Sequence, residues 1–474
     1  MPAAVNTLPI VRSLPDDFSL PAAFDRLAQL PGVLWFDSAA GGPAAESDRI
    51  GRYSFLTADP VRRFSASITE PNPWPQLHQW ARQLPGDYDP ALPPFQGGIA
   101  GLIGYEAAAW LEQVGVARIN DLPTPAMSLG LYDWTIAVDH QVGRSWLISQ
   151  GLGVEEAERR QQATRRADQI ASLLQAGVAA EPCSCRRVAG DADAPSDQFP
   201  TSHVGITSNF SSAQFRARVA EIVRRIRDGD SFQVNLAQRL LCPADLSSPQ
   251  LYHQLRAANP APFNAYYCGG DFQVLSSSPE GFLTVRDRVV QTRPIKGTIP
   301  RTGDAVEDER LAEQLSRSAK DRAENVMIVD LMRNDLSRVC EDDSVVVRRL
   351  CQVERYQYVQ HLVSVVEGQL RDDQSVADVL QSCFPGGSVT GAPKIEAMRT
   401  IAALEPHRRG PYCGSLGYIS CGGSADFSIL IRTITAAHGY WQIPVGGGIT
   451  AQSDPAAEEA ETWSKAEGML RALQ

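Results

Sequence analysis

No apolar run in the chain reaches the roughly 18 residues that a membrane-spanning helix needs. The best candidate, GGIAGLIGYEAAAWL from Gly97, is short and interrupted by Glu106, so no membrane span is expected. The first residues, MPAAVNTLPIVRSLPDD, carry prolines and acids where a secretory signal needs a basic start and an apolar centre. The default expectation is a cytoplasmic enzyme. The nine cysteines are odd in number and scattered, with Cys183 and Cys185 as the only close pair; there is no CxxC and no Cys/His zinc spacing. A disulfide framework and a structural zinc site are therefore excluded. A basic excess is also missing: Lys and Arg total 44 against 55 Asp and Glu, a net charge of -11. That balance argues against a nucleic-acid partner, whose phosphates are bound by basic surfaces. The phosphate-loop pattern GxxxxGK[ST] is absent, and so is any internal repeat.

What is present is an ordinary globular composition, 43% hydrophobic and 21% charged over 474 residues. This is enough chain for several domains or one large body. Residues 1 to about 150 alternate in short runs such as VLWFDSA and YDWTIAVDH, a strand-rich pattern with few candidate catalytic groups. A charged helical stretch follows from Val154, and then the small, polar AGVAAEPCSCRRVAGDADAPSDQFP reads as a surface linker. A boundary is placed near residue 200, dividing an N-terminal region, 1–200, from a region 201–474 that holds the chemistry. From Ser211 the order is helix, the strand FQVNLAQRLL, helix, and several strands through Val290. Two helical segments around 305 to 335 come next, then a helix and strand series, and a last helix from SDPAAEEAETWSKAEGMLRAL. Strands in runs with long helices between them predict an α+β fold with largely antiparallel sheets.

Three constellations can carry chemistry. Asp321 and Glu324 lie three apart on one predicted helix, and Glu458 and Glu461 three apart on another, so each pair occupies one helix face. Two such faces turned together would form an oxygen-rich site suited to Mg²⁺. The plainer alternatives are a Ser318–Asp321 capping box and a Glu461–Lys465 pair at i,i+4. The glycine-rich FPGGSVTGAPKIEAM and VGGGITAQSDP each precede a helix and read as loops whose backbone N–H groups can bind a small anion, or as ordinary turns. The third is Glu280 and Lys296, sixteen residues apart with strand-like sequence between, which a hairpin would bring to one end. Burial would raise the pKa of such a glutamate and lower that of such a lysine, making an acid and a nucleophile; most lysines are simply solvated. His361, in the apolar run VQHLVSVV, reads as a core histidine.

Together FQVNLAQR, SPEGF, RPIKGT, AENVMIVDLMRND, FPGGSVTGAPK, GYIS, ILIRT, GGGI and DPAAEEAETWSKA resemble the chorismate-utilising enzymes, in order and spacing over roughly residues 205 to 470. GGIAGLIGYE and the N-terminal part resemble the fuller-length members that aminate chorismate, such as the large subunit of anthranilate synthase. The resemblance implies two antiparallel sheets packed face to face with helices outside, built from both halves of the chain. It implies Mg²⁺ held by Glu324 and Glu461, with Asp321 and Glu458 acting through its waters. It implies substrate contacts at His361, Thr390, Tyr418, Arg432, Gly446, Gly447, Gly448 and Lys465, with Tyr418 and Arg432 on the enolpyruvyl carboxylate. It implies Glu280 as acid and Lys296 as a covalent nucleophile. Relatives that act at ring carbon 2 typically carry alanine at the position of Lys296, and those that add water carry a lysine at the position of Gln233. Both departures favour amination at carbon 4, on the way to 4-aminobenzoate and folate. No Gly-x-Cys-x-Gly glutaminase nucleophile is present, so ammonia is expected from a separate glutamine amidotransferase subunit, with free ammonia as an alternative donor. Some relatives also hold tryptophan away from the active site; the matching positions are Ser38, Ile50, Gly51, Arg52 and Tyr53, with Pro262, Phe263, Asn264, Ala265 and Tyr266.

Overall fold

The computed structural model describes residues 8–38, 50–176, 195–356 and 359–474. Its strands form a 13-stranded and a 10-stranded sheet among the described residues, and the strand pairings are antiparallel in both. In the larger sheet Leu34–Asp37 pairs with Phe263–Cys268, joining an N-terminal strand to a C-terminal one. In the smaller, Gly98–Ile103 pairs with Ser415–Ser420 over six residues. Both sheets thus draw strands from either side of residue 200. Most of the predicted linker, with Cys183 and Cys185, lies outside the described residues.

Period-2 alternation sorts the side chains into layers. Leu34, Phe55, Ala137 and Val274 of the larger sheet meet Ala100, Leu102, Leu416 and Tyr418 of the smaller in one cluster, so the sheets pack face to face. The outward face of the larger sheet is covered by helices at Leu20–Leu27, Arg159–Gln175, Ser248–Ala258 and Pro455–Arg471. The smaller sheet is backed by Trp74–Gln83, Ala319–Ser337, Val376–Cys383 and Lys394–Leu404. Trp35, Trp74, Trp134 and Trp441 are fully buried, each such side chain contributing roughly 1.5–3 kcal/mol or more. No helix among the described residues is long and apolar enough to cross a membrane.

Several local expectations hold and one changes. The Glu280–Lys296 interval forms the hairpin Gly281–Arg286 and Val289–Thr292, followed by the strand Ile295–Pro300. The two helical segments are Ala305–Arg317 and Ala319–Ser337. The triglycine at 446–448 is not a loop. It lies inside the strand Tyr440–Thr450, with Gly447 opposite Leu236 and Gly448 opposite Asn235. Long-range pairing with an 11-residue partner strand outweighs the turn tendency of glycine.

Candidate active site

Lys296 lies at a β-bulge. Ile295–Pro300 pairs with Val359–Gln369, and the register slips between Lys296↔Leu362 and Thr298↔His361. The extra residue is Gly297, at φ +69°, a conformation that residues with side chains rarely adopt. Bulges re-aim the side chains beside them. Here the Lys296 Nζ lies 3.5 Å from the Ser388 carbonyl, in the turn Gly387–Val389 that follows Phe384–Pro385. Among the described residues no carboxylate is within ion-pairing distance of it. Glu280, 6% exposed, closes the same space from the start of the hairpin. Burial pushes the Lys296 amine down, against the pull of Glu324 and Glu280. Burial pushes the Glu280 carboxyl up, against Ser388, Lys296 and the Ile295 N–H. Both shifts run toward the neutral forms, the direction an acid and a nucleophile need.

The predicted carboxylates converge from two helices. Ala319–Ser337 starts at Ser318, whose hydroxyl accepts the Asp321 N–H at 3.3 Å, so Ser318 caps the helix without the reciprocal bond of a full capping box. The Glu324 carboxyl is pushed up by burial and by Asp321 and Glu458. Glu458 is pushed up by burial and by Glu461, although the Ser453 hydroxyl donates to it at 2.5 Å. Glu461 differs: burial opposes ionisation, but Lys465 at 2.6 Å, with Lys320 and Lys296, holds its carboxyl below the usual range. Lys465 also donates to the Gly446 carbonyl at 2.9 Å. A Cβ on Gly447 would stand 3.4 Å from the Lys465 Nζ, 3.5 Å from Glu458 Oε2 and 3.6 Å from Glu461 Oε1. The absent side chain therefore leaves this face of the strand open to the acidic helix.

Chemically this cluster fits a cation. Its like charges raise two of its own pKa values, and Glu324 Oε1 is buried with no hydrogen-bond partner, a costly state for a carboxylate oxygen. Among the described residues no group of three or more His, Cys, Asp or Glu is arranged to hold a metal unaided. A hard cation here would need water or substrate oxygens as well, which is how Mg²⁺ is commonly bound.

His361 is 6% exposed. Burial and the Arg432 charge push its pKa down to about 4, against the Gly297 carbonyl, so the ring is neutral at pH 7. Arg432 has φ +51°; burial pushes its pKa down, with Tyr412 and Glu461 opposing. Thr390 is fully buried, its hydroxyl directed at the Gly386 and Gly387 carbonyls, at 3.2 and 3.3 Å. Lys394, the lysine of the GAPK run, is bound to Asp335 at 2.6 Å and to the Cys383 carbonyl at 2.8 Å; it anchors a helix start.

Tyr418 is the predicted contact that the structure does not bring to this group. Alternation along Ser415–Ser420 turns its ring between the sheets, 4.6 Å from Phe95 and 5.5 Å from Phe36, with its hydroxyl 3.4 Å from Arg286. The tyrosine beside Arg432 is Tyr412, six residues earlier in PYCGSLGY. Spacing alone gave no means of choosing between the two. Lys320 was also missed, although its i,i+4 relation to Glu324 was visible.

Tyr418 instead lines a second cavity, of about 360 Å³, between the sheets. Of the residues predicted for a tryptophan pocket, Ser38, Ile50, Gly51, Tyr53 and Pro262 to Ala265 line it, with Arg286 and Asp426. Arg52 is engaged by Asp139 at 2.6 Å. Tyr266 points to the opposite face, where its hydroxyl meets Ser248 at 2.9 Å. Burial pushes Asp426 up to about 6, against the Arg286 charge.

A family model described as chorismate binding enzyme matches residues 33–471. The chain belongs to the chorismate-binding enzymes. It is 38% identical over 448 residues to aminodeoxychorismate synthase component 1 of Salmonella typhimurium, covering 89% of this chain and 90% of that protein. It is 41% identical over 386 residues to anthranilate synthase component 1 of Streptomyces coelicolor, covering 81% and 74%. The fold matches the crystal structure of anthranilate synthase component I from Streptococcus pneumoniae, with TM-score 0.75 and 30% identity over 88% of this chain and 92% of that one.

Proposed function

We propose that the protein converts chorismate and ammonia to 4-amino-4-deoxychorismate, with Lys296 as a covalent nucleophile. The observation that carries this reading is the pairing of Lys296 and Glu280 across one cleft, each biased to its neutral form by burial. A free lysine would be neutral in only about one molecule in two thousand at pH 7; burial raises that fraction. The new amine must occupy ring carbon 4 with the configuration of the hydroxyl it replaces, and one direct displacement would invert it. Two allylic displacements retain it. The Lys296 Nζ bonds to ring carbon 2, both conjugated ring double bonds shift by one position, and the carbon 4 hydroxyl leaves as water with the Glu280 proton. Ammonia then bonds to carbon 4, both double bonds shift back and the lysine leaves carbon 2. The Glu280 carboxylate recovers a proton from the new ammonium. Dividing one difficult substitution into two is the usual advantage of covalent catalysis.

Glu324 and Glu461 would hold Mg²⁺ directly, and Asp321 and Glu458 through water. When bound, the ion supplies positive charge for the ring carboxylate and neutralises the acidic helices. Arg432 and Tyr412 suit the enolpyruvyl carboxylate, and the open face at Gly447 leaves room for the ring carboxylate. Ammonia would come from a separate glutaminase subunit, in keeping with the component 1 names of the relatives. The second cavity, with Arg286 and Asp426 among its aromatic walls, suits an aromatic amino acid such as tryptophan.

The alternative is anthranilate synthesis, favoured by the 41% identity to an anthranilate synthase component. The two readings are separated by incubating the protein with chorismate, Mg²⁺ and ammonium, and identifying the product by mass and fluorescence. Anthranilate formed without any added lyase would overturn the carbon 4 reading. A chorismate adduct on the Lys296 peptide would support it.

A further inference from the structure

The bulge that aims Lys296 also holds His361. Thr298 and His361 are cross-strand partners, and the Thr298 hydroxyl lies 2.9 Å from His361 Nδ1. The Tyr356 ring meets the imidazole edge-on, with centroids 5.2 Å apart at 67°, and forms a wall against it. The Gly297 carbonyl also acts on the ring, favouring its protonated form, while Nε2 makes no side-chain hydrogen bond to a described residue. The ring is therefore fixed at one nitrogen and uncommitted at the other, beside Arg432, whose guanidinium makes no hydrogen bond to a described residue while its carbonyl accepts from the Ser277 N–H at 3.1 Å. A neutral imidazole has one donor and one acceptor nitrogen, and the partner of one decides what the other offers.

We propose that Thr298 is a positioning residue, whose hydroxyl fixes the rotation and tautomer of His361 so that Nε2 is presented to the bound substrate ring. Thr298 touches no reacting atom and acts only through the imidazole. Its side chain is on an exposed strand position, so this hydrogen bond is not needed to fill the core. The inference rests on the proposed reaction for the identity of the ring but not for the state of the histidine.

The test uses the full chain labelled with nitrogen-15 at histidine, with the His361 signal assigned by its loss in His361→Gln. In the unliganded wild type at pH 7 the expected signal is that of one neutral tautomer; a mixture of tautomers or a charged ring overturns the proposal, whatever the product of the enzyme. In Thr298→Val, of nearly the same shape, the signal is expected to move toward the mixed-tautomer average. The kcat with ammonium should fall about tenfold, the worth of one hydrogen bond, with KM for chorismate changed less than kcat. Thr298→Ser should restore both. An unchanged signal and kcat in Thr298→Val, or a loss that Ser does not rescue, overturns the proposal. If the Val variant does not fold, the wild-type spectrum and the Ser variant still decide it.

Discussion

Gly297 and Asp321 are in close contact between the lysine strand and the acidic helix: a Cβ on Gly297 would stand 2.9 Å from the Asp321 carboxyl carbon and 3.1 Å from its Cβ. The same glycine has φ +69°. The bulge that turns Lys296 inward and the approach of the carboxylate helix thus depend on one missing side chain. Gly297→Ala is expected to destabilise the protein by about 1–3 kcal/mol through left-handed strain, and further by displacing the helix. Thermal unfolding reads the first effect. Loss of chorismate turnover in the protein that remains folded reads the second.

Lys296→Ala should abolish amination while leaving the melting temperature unchanged or higher, because it removes a half-buried amine that lacks an ion pair. Glu280→Gln should still bind substrate but fail to release the hydroxyl. Each is expected to lower kcat with ammonium by at least about 10²-fold. Full turnover in Lys296→Ala would rule out the covalent route.

The opposed shifts of Lys296 and Glu280 set a pH profile. Below the depressed lysine pKa the amine is protonated and cannot attack, so kcat/KM rises with pH on the acid limb. Above the raised Glu280 pKa the proton needed by the leaving hydroxyl is gone, so the rate falls on the alkaline limb. Rates normalised to free ammonia should therefore be bell-shaped. A rate that rises with pH throughout would show that Glu280 is not the acid.

Glu324 has a raised folded-state pKa, so its contribution to stability is fully present below the unfolded value and is lost as pH rises through the folded one. Without Mg²⁺, wild-type melting temperature should fall across that window, and Glu324→Gln should remove that part of the fall. The same variant should also lose most of the thermal stabilisation that Mg²⁺ gives the wild type. An unaltered Mg²⁺ response would place the cation elsewhere.

Tyr412→Phe is expected to raise KM for chorismate severalfold, the effect of one lost hydrogen bond to a carboxylate. Tyr418→Phe should leave kcat within about twofold. It should instead weaken binding of an aromatic amino acid in the cavity shared with Arg286 and Asp426, measured by calorimetry. The reverse pattern would return Tyr418 to the substrate.

Much of the site was legible because it is written in residue types that have few other uses together. Asp321, Glu324, Glu458 and Glu461 announce their faces through i,i+3 spacing, which the helices then obey. Glu280 and Lys296 announce a hairpin through the strand-like residues between them. Tyr418 and Tyr412 mark the limit: both are buried, and only the pleat of Ser415–Ser420 and the turn before it send one ring between the sheets and leave the other beside Arg432. The triglycine carries both a strand reading, as the end of WQIPVGGGI, and a loop reading; pairing with Gln233–Pro243, some two hundred residues away, decides for the strand.

By itself the sequence determined the inventory of reactive groups, the alternation of strands and helices and the family, since these depend on residue identity and local period. The tertiary structure decided which groups face one cleft and in which direction their pKa values shift. Those depend on burial, on a one-residue slip at Gly297 and on sheets assembled from both halves of the chain, and none of these is a property of any short segment.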